Sequence, residues 1–191
     1  MSRIDPPADE ALNNEQRQGF AMAEAFMGFL PNSSIDMAHW PELSATFGPF
    51  AANILAGGEL SQSLKNMIAA VASNAAGCRY CSAHTTHQAA RAGGDAEKIA
   101  KVWEYQTSEL FTDAERAALD LALAGGQVPN AANDAHFTEL KKHYSNKQIV
   151  EIVAVIALFG FLNRWNDTMG TQLEEEPQGF AKQTFAARDW G

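Results

Sequence analysis

The sequence of 191 residues has little cysteine, few positive charges and no long hydrophobic segment. Its 14 Lys and Arg against 23 Asp and Glu give a net charge of −9, which argues against nucleic acid or an anionic membrane surface as a partner. The longest uncharged apolar run is residues 152–162, whereas a helix that spans a bilayer needs about 20 residues. The first twenty residues are polar and lack the apolar core of a signal peptide. We therefore expect a cytoplasmic protein with neither a membrane nor a nucleic-acid partner.

Residues typical of β-strands are also sparse, and no Gly-x-Gly-x-x-Gly fingerprint is present, so a nucleotide-binding sheet has no support. In their place stand 34 alanines, the residue with the highest helix propensity. Capping patterns and apolar spacing favour helices throughout the chain. The sequence therefore predicts an all-α fold. The helices should cover about 14–29, 41–56, 62–76, 78–91, 113–124 and 146–169, the last being the central buried helix.

Two stretches of the chain echo each other. Residues 66–81 read NMIAAVASNAAGCRYC and residues 151–166 read EIVAVIALFGFLNRWN, each a polar residue, an apolar helix and a closing polar pair. This weak repeat suggests two related helical halves, of which one carries thiols. We expect a flexible leader over 1–12 and a C-terminal tail over 177–191. Between them lies a helical domain over 13–176, with a cysteine-bearing half over about 13–94 and an echo half over about 95–176.

The two cysteines, Cys78 and Cys81, form a Cys-x-x-Cys pair at a predicted helix start. Unpaired N–H groups and the helix dipole favour a thiolate there, and such pairs often have a pKa below that of a free thiol. His84 follows three residues after Cys81, so the two side chains share one helical face. An imidazole at that place can accept the thiol proton and return it to a leaving group. This pattern predicts redox chemistry.

Other interpretations of the same segment are a zinc site or an inert buried pair. A zinc site would add His87 to the two cysteines and His84, but four ligands in steps of three spread over half the circumference of one helix. They cannot converge on one ion. A c-type haem site requires His directly after the second cysteine, and Ser82 stands there. Glu151, which opens an apolar helix, is either a first-turn charge or a functional acid. Residues 174–176 suggest a solvated acidic face.

At these residues the sequence resembles the carboxymuconolactone decarboxylase and alkyl hydroperoxidase D (AhpD-like) superfamily, in its peroxidase-related branch. The resemblance spans about residues 20–176, and it rests on GFLPN at 28–32, GCRYC at 77–81 after its apolar helix, and NRWND at 163–167. It implies an AhpD-like helical fold of two pseudo-repeated halves that assembles as a homo-oligomer, a trimer or hexamer.

The resemblance also implies a mechanism. Cys81 would attack the O–O bond of a hydroperoxide substrate and become a sulfenic acid, and Cys78 would then close a disulfide. An external dithiol reductant restores the pair, and no metal, flavin, haem or other cofactor is needed. The implied function is a thiol-dependent alkyl hydroperoxide reductase or disulfide oxidoreductase. The alternatives are a cofactor-free lactone decarboxylase-like enzyme and a non-catalytic, redox-sensing helical oligomer.

The sequence departs from the hydroperoxidases of this superfamily in its proton relay. They place Glu twelve residues before the first cysteine, where Asn66 stands, and their relay His comes one residue later than His84. Tyr80 replaces a further His. We hypothesise that Glu151 supplies the missing carboxylate, across the pseudo-repeat or from a neighbouring subunit. The candidate catalytic residues are therefore Cys78, Cys81, His84 and Glu151.

Overall fold

The computed structural model describes residues 2–186, and within them the chain forms ten α-helices and no β-strand, which confirms the all-α prediction. Two short 3-10 turns lie at Asp9–Ala11 and Val102–Glu104. The helices are α1 (Asn14–Met27), α2 (Asn32–Met37), α3 (Pro41–Ala56), α4 (Gln62–Ala75), α5 (Arg79–Arg91), α6 (Ala96–Ala100), α7 (Asp113–Gly126), α8 (Asp134–Leu140), α9 (Asn146–Met169) and α10 (Glu175–Thr184).

The capping patterns in the sequence place the long helices correctly. Ser61 caps α4, and Thr112 and Ser145 form reciprocal capping boxes at the starts of α7 and α9. The predicted helices α1, α3, α4, α5, α7 and α9 all begin within a residue of their expected position. Four helices of five to ten residues, α2, α6, α8 and α10, were not predicted. Helices of this length are marginal in isolation and form here because they pack on longer neighbours.

The core forms where α4 packs against α5, α7 and α9. Ile68 on α4, Leu119 on α7 and Ile152 on α9 are all completely buried. Alanines on α4 and α7 lie between them and allow the helix axes to approach closely. This arrangement fixes the end of α4 and the start of α5, which is where the two cysteines lie.

Helix α9 is less enclosed than its sequence predicts. One side contributes Ile152, Val155 and other core residues, but the opposite side leaves Val150 66 % and Phe161 41 % exposed. In the part of the chain that the structure describes, α9 is also the one helix that is long and apolar enough to cross a membrane. A third of its most apolar stretch is buried, and core helices of soluble proteins share its length and composition. The observation is therefore weak evidence for a membrane span.

Both ends of the described chain contact the helical domain. Ser2 donates a hydrogen bond to Asp36 at 2.8 Å, and the backbone of Arg3 donates to the carbonyl of Met169 at 2.8 Å. The predicted leader is thus attached to the end of α9. In the predicted tail, α10 packs against α5, while residues 187–191 lie outside the described chain. Helix α10 brings the C-terminal segment to the cysteine-bearing helix.

Candidate active site

A glycine turn places the cysteines at the start of α5. After α4 ends, Gly77 adopts a left-handed backbone with φ of +81°, a conformation that other residues adopt only with strain. The backbone N–H of Cys78 then donates to the carbonyl of Ser73 at 3.0 Å, and Cys78 becomes the N-cap residue of α5. The predicted position of the pair at a helix start is therefore where the structure places it.

The two thiols are free, close together and buried. They approach to 3.4 Å, and the backbone N–H of Cys81 donates to the sulfur of Cys78 at 3.5 Å. Cys78 is fully buried and Cys81 is 2 % exposed. A disulfide between them requires only that the sulfurs close to about 2.05 Å. The arrangement can therefore give up two electrons within one turn of helix.

Burial changes the acidity of Cys81 in the opposite direction to the sequence prediction. Desolvation raises the pKa of the Cys81 thiol, and the hydrogen bond and charge of Cys78 raise it further. A hydrogen bond from Asn166 lowers the pKa but does not offset burial, and the negative charge of Asp167 acts against it. The expectation of a thiolate favoured by the helix start is thus wrong for Cys81. The helix dipole lowers a thiol pKa only within the first turn. Burial removes water from the whole side chain of Cys81 and raises its pKa by more.

The echo half contacts the cysteine through Asn166. Its Nδ2 donates to the sulfur of Cys81 at 3.3 Å and also to the carbonyl of Leu162 at 2.9 Å. Asn163 lies one turn earlier on α9, and both amide side chains are 3 % exposed. These are the residues that the sequence echo aligns with Cys78 and Cys81. The last residue of the polar pair that closes the echo segment therefore contacts a thiol, although sequence reasoning assigned it no role.

A second polar cluster joins His84 to the C-terminal segment. The Nε2 of His84 lies 2.5 Å from the Oε2 of Glu174, and the hydroxyl of Tyr80 donates to Oε1 of the same carboxylate at 2.8 Å. The rings of Tyr80 and His84 stack with centroids 4.1 Å apart, and Phe29 closes the other side of His84 edge-on at 5.0 Å. The backbone N–H of Asn32 also donates to Glu174, at 2.6 Å. His84 is thereby held one turn beyond Cys81.

Glu174 carries the charge of this cluster. Its burial acts to raise the pKa of the carboxyl, but the hydrogen bond and charge of His84 and the Asn32 N–H outweigh burial, so the pKa is lowered. Burial and the neighbouring Glu174 charge raise the pKa of Tyr80 well above 10. Glu174 is therefore a carboxylate at neutral pH, and His84 Nε2 must be the donor in their hydrogen bond. The expectation that residues 174–176 form a solvated face is wrong for Glu174.

Glu151 lies near the start of α9, away from the cysteines and from the cluster around His84. Its carboxylate accepts hydrogen bonds from the backbone N–H groups of Glu59 and Leu60 at 2.9–3.0 Å, and it lies 3.4 Å from the ammonium of Lys65. Fifteen residues of α9 separate it from Asn166, which is about 22 Å along the helix axis. The structure therefore does not bring Glu151 to the cysteines within one chain. A route from a neighbouring subunit stays a prediction.

Two further features lie outside this cluster. Within residues 2–186 no three His, Cys, Asp or Glu side chains are grouped as metal ligands, and His87 instead packs against Phe29 and Phe180. A shallow cavity of about 430 Å³ opens in the second half of the chain, lined by Asp120 and His136 among others. None of the candidate catalytic residues lines it. We therefore place the candidate site at the thiols, where the reactive groups are.

Comparisons with known proteins agree with this fold. Residues 41–124 match the model of the carboxymuconolactone decarboxylase family. The debrominase Bmp8 is 36 % identical with a TM-score of 0.89, over 95 % of this chain and 97 % of that chain. A variant of Bmp8 in which a cysteine is replaced by alanine forms a complex with 2,3,4-tribromopyrrole and superposes equally well.

Two further proteins are similar to this chain at lower identity or over less of its length. An uncharacterised peroxidase-related protein with an AhpD core from Ralstonia eutropha JMP134 is 26 % identical with a TM-score of 0.82, over 92 % of this chain and 94 % of that chain. The uncharacterised protein YnjA of Escherichia coli K12 is 33 % identical over 92 residues, which is 48 % of this chain. That match spans half the length of YnjA.

Proposed function

We propose that this chain, which belongs to the carboxymuconolactone decarboxylase and AhpD-like superfamily, is a dithiol reductase that debrominates a bromopyrrole. One observation carries the proposal. A reduced Cys78–Cys81 pair, 3.4 Å apart at a helix start, lies in a chain that is 36 % identical to a debrominase over 95 % of its length. An enzyme of this kind needs no bound cofactor, because the two thiols hold the two electrons that replacing bromine by hydrogen requires.

The chemistry balances over two steps. The thiolate of Cys81 attacks the bromine atom, so that an S–Br bond forms while the C–Br bond breaks, and the ring carbon keeps the electron pair and takes up a proton. The thiolate of Cys78 then attacks the sulfur of Cys81, a disulfide forms and bromide leaves. In sum, one bromopyrrole and two thiols give one debrominated pyrrole, one disulfide, one bromide and one proton. An external dithiol then reduces the disulfide.

The contacts of the cluster support these roles. We assign the attack to Cys81, whose sulfur accepts the Asn166 amide hydrogen bond. Because burial raises the pKa of this thiol, a base must take up its proton for the attack. We assign proton transfer to His84, which lies on the same face of α5 one turn later and donates to the charged Glu174. The carboxylate fixes the imidazole by accepting its Nε2 hydrogen bond, as a third group orients the base in other acid–base relays.

A hydroperoxide is the second candidate substrate, and the 26 % identical peroxidase-related protein supports it. The same dithiol would reduce it: Cys81 takes the terminal oxygen as a sulfenic acid, the alcohol leaves, and Cys78 closes the disulfide with loss of water. Both substrates consume two thiols. They differ in the second product, which is bromide in one case and an alcohol in the other.

The test is a single-turnover count of thiols and products. Reduced protein receives one equivalent of 2,3,4-tribromopyrrole, and free thiols and bromide are measured together. We expect two thiols lost for each bromide released. Cys81→Ser should release none, and Cys78→Ser should form no intramolecular disulfide. Ser82→Ala, which removes a buried hydroxyl beside the pair without touching a sulfur, is the control and should keep the two-to-one ratio.

The same count with one equivalent of an organic hydroperoxide separates the candidates. Thiol loss with stoichiometric alcohol, and no bromide from the bromopyrrole, would replace the debrominase proposal with the peroxidase. Thiols that stay reduced with both substrates would contradict the dithiol mechanism.

We further propose that the chain assembles as a homo-oligomer. Helix α3 has no buried residue although most of its residues are apolar, and it packs between α1 and α9. These helices and their flanks leave large apolar side chains in solvent: Met22 71 %, Trp40 61 %, Phe50 56 % and Val150 66 % exposed. Soluble monomers rarely expose so many large apolar groups together, and a second copy would cover them. Light scattering coupled to size-exclusion chromatography tests this, and a mass of 20.7 kDa would contradict it.

A further inference from the structure

Three buried polar atoms in the last turns of α9 have no hydrogen-bond partner among the described residues. They are the side-chain oxygens of Asn163 and Asn166 and the ring N–H of Trp165. A buried oxygen without a donor costs free energy on folding, and native proteins leave few of them. Here two lie one turn apart on α9, and the amide of Asn166 also contacts Cys81. Among residues 2–186 no donor reaches either oxygen.

The orientation of the Asn166 amide follows from its neighbours. The carbonyl of Leu162 can only accept a hydrogen bond, so the atom 2.9 Å from it must be the nitrogen of the amide. The same nitrogen donates its second hydrogen to the sulfur of Cys81. The oxygen therefore points away from both partners, and its lone pairs are unused. It is a preformed acceptor beside the sulfur that attacks the substrate.

We propose that Asn166 is a substrate-binding residue whose Oδ1 accepts the ring N–H of a bromopyrrole that lies against Cys81. This rests on the proposed function, since it names the group that would orient that substrate. A pyrrole carries one donor, its ring N–H, and otherwise presents carbon and bromine. The Asn166 amide is held in place by the two hydrogen bonds of its nitrogen, and its free oxygen matches that single donor. A bound substrate would remove the cost of leaving this oxygen unpaired.

Binding to an unreactive protein tests the inference apart from turnover. In Cys81→Ser, 2,3,4-tribromopyrrole is compared with 2,3,4-tribromothiophene, a ring of similar shape without an N–H. We expect the pyrrole to bind at least about tenfold more tightly, as one buried hydrogen bond implies. Leucine has nearly the same shape as asparagine but no acceptor. When Asn166→Leu is added to Cys81→Ser, the affinities for the two rings should differ by no more than about twofold.

The control variant is Gln88→Met on α5. Gln88 is a buried amide that donates to the carbonyl of Met27 and takes no part in the site, so its loss should leave the preference unchanged. If Asn166→Leu does not fold, Asn166→Ala, which removes the same oxygen without adding bulk, gives the same decision. It should likewise reduce the preference to within about twofold. Equal binding of the two rings to Cys81→Ser, or a preference that Asn166→Leu leaves intact, would overturn the inference.

Failure of this inference is distinct from failure of the proposed function. If wild-type protein binds the pyrrole with an Asn166-dependent preference but releases no bromide, the debrominase proposal fails and the inference stands. If it releases bromide while Cys81→Ser binds both rings equally, the inference fails and the proposed function stands.

Discussion

Residues 66–81 and residues 151–166 share a pattern of an opening polar residue, an apolar helix and a closing polar pair, yet they end differently. In the first segment the helix α4 stops at Ala75, the chain turns at Gly77 and α5 begins. In the second, α9 runs without a break to Met169. The aligned residue at the turn is Gly77 in one segment and Leu162 in the other. A left-handed glycine thus follows the end of α4, and no glycine stands at the corresponding position of α9.

The difference decides what each closing pair can do. The break leaves the backbone N–H of Cys81 unpaired within its helix, so it donates to the sulfur of Cys78. In the continuous helix the backbone N–H groups are used by the helix itself, and Asn163 and Asn166 act only through their side chains. The two ends meet at the contact between Asn166 and Cys81. One half supplies the thiols and the other supplies the amide that donates to Cys81.

The two segments open with different residues, Asn66 in the first and Glu151 in the second. We expect the largest loss of stability from a substitution of Glu151. Glu151→Ala removes the carboxylate partner of Lys65, whose side chain is 1 % exposed and retains only the carbonyls of Ile54 and Gly57. A buried charge that loses its counter-ion costs several kcal/mol. We expect the free energy of unfolding to fall by about 3 kcal/mol. Urea denaturation measures the loss.

The matched control is Glu59→Gln, which breaks an ion pair in the same loop between exposed side chains. Surface pairs contribute little, so this variant should change stability far less. Folded Glu151→Ala should release bromide at the wild-type rate. A lower rate in folded protein would contradict the separation of the two sites and restore the hypothesis that Glu151 reaches Cys81 from a neighbouring subunit.

The second prediction concerns Glu174, whose carboxylate accepts hydrogen bonds from Asn32, Tyr80 and His84 in the cysteine-bearing half. Glu174→Gln removes the charge that His84 and the Asn32 N–H stabilise. We expect a loss of about 2 kcal/mol at pH 7, the value of a hydrogen bond to a buried charge. Thermal and urea denaturation across pH measure it.

The pH dependence has a definite sign. The folded pKa of Glu174 lies below its ordinary 4.5, so the unfolded chain takes up a proton at a pH where the folded chain does not. This stabilisation is present above pH 4.5 and is lost as the pH falls through the folded value. The wild-type stability should therefore decline more steeply below pH 4.5 than that of Glu174→Gln. Glu175→Gln, at the exposed next residue, should keep the wild-type slope. A parallel decline in all three would contradict the assignment.

The sequence predicts those parts of this fold that short-range rules govern. Ser61, Thr112 and Ser145 begin helices because each caps the N–H groups of the residues that follow it. The glycine before Cys78 likewise indicates a break. The family, the all-α class and the position of the cysteines follow from such local patterns and their order along the chain.

The features of the site that the sequence does not predict depend on contacts between segments that are distant along the chain. Glu174 reaches His84 because the chain returns after α9, and nothing near residue 174 indicates that partner. The pKa of Cys81 is set by burial under other helices, which the position of a residue in its own helix does not reveal. The contact of Asn166 with Cys81 can be predicted only in part. The echo aligns the two residues in sequence, but the packing of α9 against α5 is what brings them into contact.

The smallest expected effect comes from making the turn more like the echo segment. Gly77→Ala introduces a side chain where φ is +81°, with no atom within 4 Å of its Cβ, so the cost is backbone strain alone. We expect a loss of about 1 kcal/mol by urea denaturation. Gly179→Ala is the control, since that glycine lies inside α10 with equally open space and ordinary helical backbone. It should raise stability by about 0.5 kcal/mol. If both variants were stabilised, the left-handed turn would not be required, and the break between α4 and α5 would need another cause than Gly77.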